Sequence, residues 1–222
     1  MSNQVPAWQG PILDNHFHLN RNGRYLDAAH DFKRAGGTNI VLIHCPDFAS
    51  PPTTKEGHRA AYQNTIAMAE SVRTELDLHV RVVLGPHPAA FAHQFIEWVE
   101  KDGAKGKNRA IENYRDSIDE AVKFYHEGKA HAIGEVGRPH WEVSQEIWDL
   151  SNDLLCETMS LAANDGFALQ LHVEGELEST YSDMAAMAEK SGLQKDRLIR
   201  HYSPPNVCLL YTSDAADDSY RV

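Results

Sequence analysis

Apolar residues along this chain fall into two rhythms. Short, often β-branched runs flanked by Gly, Asn or Pro occupy residues 11–16, 38–44, 78–85, 130–136, 167–173 and 197–202, and such runs read as strands. Between them, apolar positions recur every three or four residues over 25–35, 57–76, 88–99, 109–125, 143–164 and 177–191, the spacing of amphipathic helices. Gly36-Gly37, Gly128, Gly166 and Gly192 stand where helices should stop. The alternation implies a parallel sheet with crossover helices. Residues 101–109 carry the one basic cluster, Lys101, Lys105, Lys107 and Arg109. They read as a solvated loop between two helices, with phosphate binding as the alternative. Trp98, Trp148, Met184 and Met187 in the long helices read as core.

Six strand–helix units fit a doubly wound sheet or a (β/α) barrel. No Gly-x-Gly-x-x-Gly follows a strand, which removes support from a dinucleotide fold. Polar residues collect instead where strands end: His16 and His18, His44, His87, Glu135, His172 and His201. Barrel enzymes build their active sites there. The expected class is α/β, a (β/α)8 TIM barrel, incomplete at about six β/α units.

The 222 residues carry a net charge of −11, so no broad basic surface for non-specific nucleic-acid binding is expected. A small-molecule substrate or a nucleic-acid end remains compatible with that charge. Three cysteines without a Cys-x-x-Cys pair form no disulfide or metal framework. No signal peptide is visible, and no apolar run approaches the roughly 18 residues of a membrane span. These features predict a reducing, cytoplasmic setting with no membrane and no obligate protein partner.

The chemistry begins at Asp14-Asn15-His16-Phe17-His18. Residues i and i+2 of a strand point the same way, so both imidazoles can face one cation. The competing reading is two surface histidines beside a turn. Asp14 shares the side of His16, where it serves as a hydrogen-bonding partner or as a structural cap. Glu135 lies between glycines on an apolar strand, where an unpaired buried carboxylate is expensive and a cation is the natural partner. His172 could instead be a hydrogen-bonded core histidine, and His201 could pair with a carboxylate. His87 is expected to line the pocket and touch substrate. Arg138 and His140 are candidates for an anionic substrate group, with a loop salt bridge as the alternative. Glu174, on the loop after His172, is grouped with them as substrate-binding.

From Cys208 the pattern breaks. Back-translated in one frame, Cys208 to Asp218 matches a transposase adapter used to prepare sequencing libraries. The expected division is residues 1–207 as a partial barrel and 208–222 as a non-native tail, the alternative being a natural acidic tail. A complete barrel takes about 250 residues, so strands seven and eight would be missing, with unpaired edges and poor solubility.

Asp14-Asn15-His16-Phe17-His18, Gly85-Pro86-His87-Pro88, Gly134-Glu135-Val136-Gly137, Leu171-His172-Val173 and Arg200-His201-Tyr202 follow the order of motifs in TatD-like metal-dependent hydrolases, which the chain resembles. The stretches Arg138-Pro139-His140 and Tyr202-Ser203-Pro204-Pro205 look like the archaeal-type branch of that family, within the amidohydrolase superfamily. The resemblance covers residues 10–206. It implies that His16 and His18 hold a first, more buried metal, that Glu135 bridges two metals and acts in catalysis, and that His172 and His201 hold the second. The cofactors would be two divalent ions, Zn, Mn, Mg or Co. The family's strand-eight Asp, which helps deprotonate the attacking water, has no match here.

The expected activity is cleavage of an ester bond by metal-activated water, foremost a phosphoester, in the manner of a deoxyribonuclease or phosphodiesterase. The alternatives are an amidohydrolase or lactonase, a histidinol-phosphatase-type phosphatase, and an inactive metal-binding remnant.

Overall fold

The computed structural model describes residues 8–175 and 178–201. Its strands are β1 (Leu13–Phe17), β2 (Asn39–Ile43), β3 (His79–Leu84), β4 (Ala132–Gly137), β5 (Leu169–His172) and β6 (Leu198–Arg200). Its helices are α1 (Leu26–Arg34), α2 (Lys55–Leu76), α3 (Pro88–Asp102), α4 (Ala104–His126), α5 (Gln145–Asp165) and α6 (Glu178–Lys190). Each predicted strand and helix has a counterpart here. The segment 208–222 lies outside the described residues, as does the last residue of the strand predicted over 197–202.

Among the described residues all five strand pairings are parallel, in the order β1-β2-β3-β4-β5-β6. Alternation sets two faces. Ile40, Leu42, Val82, Leu84, Leu169, Leu171 and Leu198 join the large core beneath the helices. Ile43, Val83 and Ala132, with Val41 and Ala168, form a smaller inner cluster. The sheet curls around that cluster into a half-barrel. Gln170 Nε2 of β5 donates to the Asn15 carbonyl of β1 across 3.1 Å, and the rings of His16 and His201 stack 4.2 Å apart. The fold is thus an incomplete TIM barrel.

Local chemistry fixes the helix ends near the mouth. Thr54 accepts the Gly57 N–H to cap α2, and Ser144 accepts the Ile147 N–H to cap α5; such caps satisfy orphan donors. His87 does the same for α3 through Nδ1 to the Ala89 N–H, with Pro88 in the first turn.

One prediction is corrected. Residues 101–109 are not a loop: α3 runs to Asp102 and α4 starts at Ala104, with Gly103 between them. Helix α4 turns back onto α3 so closely that a Cβ at Gly106 would lie 1.8 Å from the Trp98 carbonyl oxygen. Arg109 then lies over the Trp98 ring at 3.6 Å, and Lys107 pairs with Glu146. The basic side chains decorate a helix hairpin.

Candidate metal centre

Glu135 is the centre of the mouth. Ladder register shifts between Ile133 and Val136, both of which pack in the outer core. The irregularity re-aims Glu135 away from that core, as bulges do. The glycines of the motif permit the geometry. A Cβ at Gly134 would meet the Gln170 carbonyl oxygen at 2.7 Å, and one at Gly137 would meet that of His172 at 1.9 Å. The strand pair β4–β5 can close this tightly only without side chains at both positions.

Five imidazoles surround the Glu135 carboxylate, which is 4% exposed. His172 Nδ1 lies 2.9 Å from Oε1, His201 Nε2 3.3 Å from Oε1 and His16 Nε2 3.4 Å from Oε1. His18 Nε2 and His87 Nε2 are each 3.8 Å from Oε2. The rings also crowd one another: His16 Nε2 to His18 Nε2 is 2.9 Å, and His201 Nε2 to His172 Nδ1 is 3.0 Å. One proton on His172 Nδ1 cannot serve both Glu135 and His201. His16 Nδ1 and His172 Nε2 are buried without a hydrogen-bond partner. Two compact groups, His16–Glu135–His201 and His87–Glu135–His172, share the carboxylate and could each hold a cation.

Protonation states suit that use. Burial would raise the Glu135 pKa, but the His172 hydrogen bond and the His16 and His87 rings outweigh it and bring it to about 2. Burial lowers His87 to about 3, with His172 adding and Glu135 opposing. Burial likewise lowers His201 to about 4 against the pull of Glu135, and lowers His16. A carboxylate and neutral imidazoles at neutral pH are the forms a divalent metal requires, and mixed N/O donors suit Zn, Mn or Co.

The remaining candidates divide. His87, expected to line the pocket and touch substrate, lies at the mouth within one of the two groups that could hold a cation. His18, expected beside His16 on a more buried metal, is 36% exposed and lies outside both compact groups. The Asp14 carboxylate accepts the backbone N–H of His16 at 3.0 Å, so the structural-cap alternative describes it and the imidazole is not its partner. Arg138 is 3% exposed and unavailable to substrate. It makes a two-pronged ion pair with Glu174, adds Asp183 and Asn152, and packs over the Trp148 ring. Arg138 and Glu174 are therefore the salt-bridge alternative, tying β4 to the segment after β5. His140 is exposed, its ring 4.9 Å from that of His172, and it stays at the mouth. His44 turns away into the helices, its Nδ1 2.8 Å from Thr65 Oγ1, while Cys45 is exposed at the rim.

Residues 13–214 match the family described as TatD related DNase. The chain belongs to that family. An uncharacterized protein of Methanocaldococcus jannaschii is 28% identical over 195 residues, covering 86% of this chain and 65% of the archaeal one. An uncharacterized amidohydrolase from Saccharomyces cerevisiae has a similar fold, with a TM-score of 0.50 at 16% identity, over 82% of this chain and 57% of the yeast chain. This TatD-related chain thus spans less than two thirds of either relative. Among the described residues no helix is long and apolar enough to cross a membrane. No aspartate joins either ligand group among those residues.

Proposed function

We propose that the protein is a divalent-metal-dependent hydrolase of phosphoester bonds, acting on a phosphodiester such as a nucleic-acid end. One observation carries the reading: five ring nitrogens converge on one buried carboxylate, with further ring nitrogens left buried and unpartnered. Membership of the TatD-related DNase family supports it.

Glu135, shared by both ligand groups, would hold two ions, with His16 and His201 on one and His87 and His172 on the other, and His18 would support the first from the solvent side without belonging to either group. Bound there, such ions lower the pKa of water to about 7 and stabilise the leaving oxygen. The chain's own contribution is placement. Ligands sit at strand ends, fixed by the ladder and the β4–β5 approach, so little reorganisation accompanies reaction. His140 lies exposed at the open side, its ring 4.9 Å from that of His172.

The test is hydrolysis of an aryl phosphodiester by the chain loaded with Mn or Zn, compared with chelator-treated protein. Metal-dependent product, lost in Glu135→Ala, is expected. Turnover of a lactone or an amide with none of the phosphodiester would refute the phosphoester assignment.

A further inference from the structure

Side chains two apart on a strand share a face, so Gln170 of β5 looks into the half-barrel together with His172. It is 1% exposed, and its amide is held from one end only. Nε2 donates to the Asn15 carbonyl of β1 at 3.1 Å. A carbonyl can only accept, so this contact identifies the amide nitrogen and leaves the oxygen at the other end. That oxygen, Oε1, is buried without a hydrogen-bond partner, a condition few buried polar atoms tolerate. The stem has little room to turn: a Cβ at Gly134 on the neighbouring strand would lie 2.8 Å from Gln170 Cβ.

The residue after Asn15 carries the complementary deficit. His16 Nδ1 is also buried without a partner, while His16 Nε2 lies 3.4 Å from the Glu135 carboxylate. A neutral imidazole has one N–H and one lone pair. An Nε2 that gives its lone pair to a cation leaves the ring proton on Nδ1, and a buried N–H needs an acceptor. His18 shows that arrangement completed. Its Nδ1 lies 3.2 Å from the Ile43 carbonyl, so that nitrogen carries the proton and Nε2 presents the lone pair. His16 Nδ1 has no such carbonyl among the described residues.

The Gln170 amide is anchored next to it. Its two atoms of interest stop short of a formed hydrogen bond, yet the influence is already visible. Burial lowers the His16 pKa, Glu135 opposes it most, and the Gln170 side chain opposes it as well, favouring a proton on this ring. An acceptor lacking a donor and a nitrogen lacking an acceptor thus flank one link between β5 and β1.

From these complementary deficits we infer that Gln170 is the positioning residue of His16: its Oε1 accepts the Nδ1 proton when Nε2 is a metal ligand, which fixes the tautomer and the orientation of the ring. Gln170 touches neither ion nor substrate and acts through His16. Such partners make a ring a more basic ligand as well as a better aimed one. The Nε2 contact to Asn15 serves the same end, because it ties the backbone beside His16 to the strand that carries His172. The inference rests on the metal-centre reading and is independent of which bond is cleaved.

The test pairs Zn affinity, from chelator competition on the full chain, with nitrogen NMR of the histidine-labelled, Zn-loaded chain, the His16 signals being assigned through His16→Asn. Wild type should show the His16 proton on Nδ1. Gln170→Met, of similar volume, should bind Zn about 10–100-fold more weakly. Gln170→Glu keeps an acceptor for His16 and loses the donor to Asn15. It should hold Zn affinity near that of wild type and move the Nδ1 proton downfield, because a carboxylate is the stronger acceptor. A role confined to bracing β1 predicts otherwise: both variants lose Zn alike and the Nδ1 proton does not move. That pattern overturns the inference, and so does a wild-type His16 protonated on Nε2. The signals of wild type and Gln170→Glu decide the matter even where Gln170→Met does not fold. Zn uptake with the wrong tautomer overturns the role of Gln170 alone, whereas a wild type that takes up no Zn overturns the metal-centre reading with it.

Discussion

Two histidine-containing clusters lie side by side in this molecule, and they are built on opposite principles. One surrounds Glu135 at the mouth. The other lies among α2, α3 and α4: His58 Nε2 meets Asn113 Oδ1 at 3.0 Å, Asn113 Nδ2 donates to Gln94 Oε1 at 3.0 Å, Tyr62 and Ser117 share a 2.6 Å hydrogen bond, and His44 meets Thr65. His87 stands between them, reaching Glu135 on one side and lining a small cavity with His44, His58 and Asn113 on the other. In the helical cluster no buried side-chain nitrogen or oxygen of these residues lacks a partner. Amides and hydroxyls alternate donor with acceptor, so the network closes on itself. At the mouth His16 Nδ1 and His172 Nε2 stay buried without a partner, and no hydrogen bond among the described residues closes the set. Histidine content is therefore a poor guide to a metal site; buried ring nitrogens left without a partner around a shared carboxylate are a better one.

The comparison breaks most visibly at Glu135. On the proposed reading, Glu135→Ala removes the one residue common to both ligand groups. Metal affinity should fall by more than about 100-fold, beyond the loss typical of residues that merely support a ligand. Metal content after dialysis, and competition with a chromogenic chelator, would measure it. Wild-type affinity in the variant would mean that the carboxylate is not shared.

Asn113→Ala attacks the other cluster. It strips partners from His58, Gln94 and the Pro52 carbonyl at once, and buried groups left unpaired cost about 1–3 kcal/mol. Urea unfolding should show a loss of about 2–3 kcal/mol, with metal content per folded chain unchanged. Parallel loss of metal would show that the two clusters are one unit.

Acid sharpens the contrast. Burial holds folded His44 at about 3, with nearby His58 and His18 pushing the same way. The unfolded chain, at the ordinary 6.5, takes the proton first. Stability from His44 is therefore complete above pH 6.5 and is lost as pH falls toward 3, at about 1.4 kcal/mol per pH unit. His44→Phe should flatten this dependence by roughly 2 kcal/mol between pH 7.5 and 5. Its hydroxyl partner Thr65 keeps a bond to the Ala61 carbonyl. An unchanged pH profile in that variant would place the acid sensitivity elsewhere.

What could be read from residue order follows the same division. Apolar spacing and breaker residues locate each described α-helix, and short apolar runs flanked by Gly, Asn or Pro locate each described strand. His16, Glu135, His172 and His201 were legible because strand ends in a barrel converge. His87 carries a local signal of its own: His-Pro after a strand announces a helix cap, which holds the ring at the mouth through Nδ1 and leaves Nε2 facing Glu135. The Arg138–Glu174 pair depended on Trp148 and Asp183 arriving from α5 and α6, which no local pattern reports. The α3–α4 hairpin is hidden in the sequence because its charge suggests a loop, and Gly106 marks the helix crossing only once the Trp98 backbone is in place. Asn113 and Gln94 look like surface polar residues until three helices bury them together.

The finest distinction lies within the mouth, between His16 and His18. Both project from the first motif, yet they are unequal. His16 is the more buried, belongs to a compact ligand group and has a buried, unpartnered Nδ1. His18 is more exposed, sits 3.8 Å from Glu135, and places its Nδ1 3.2 Å from the Ile43 carbonyl, so that nitrogen already has a partner. Replacing each with Asn should therefore give different losses of metal affinity, the smaller for His18, about tenfold. Chelator competition on the two variants under one condition measures the ratio. A larger loss at His18 would restore the pairing of His16 with His18 on one ion and remove His201 from that ion, since a shared, buried metal cannot depend least on its most enclosed ligand.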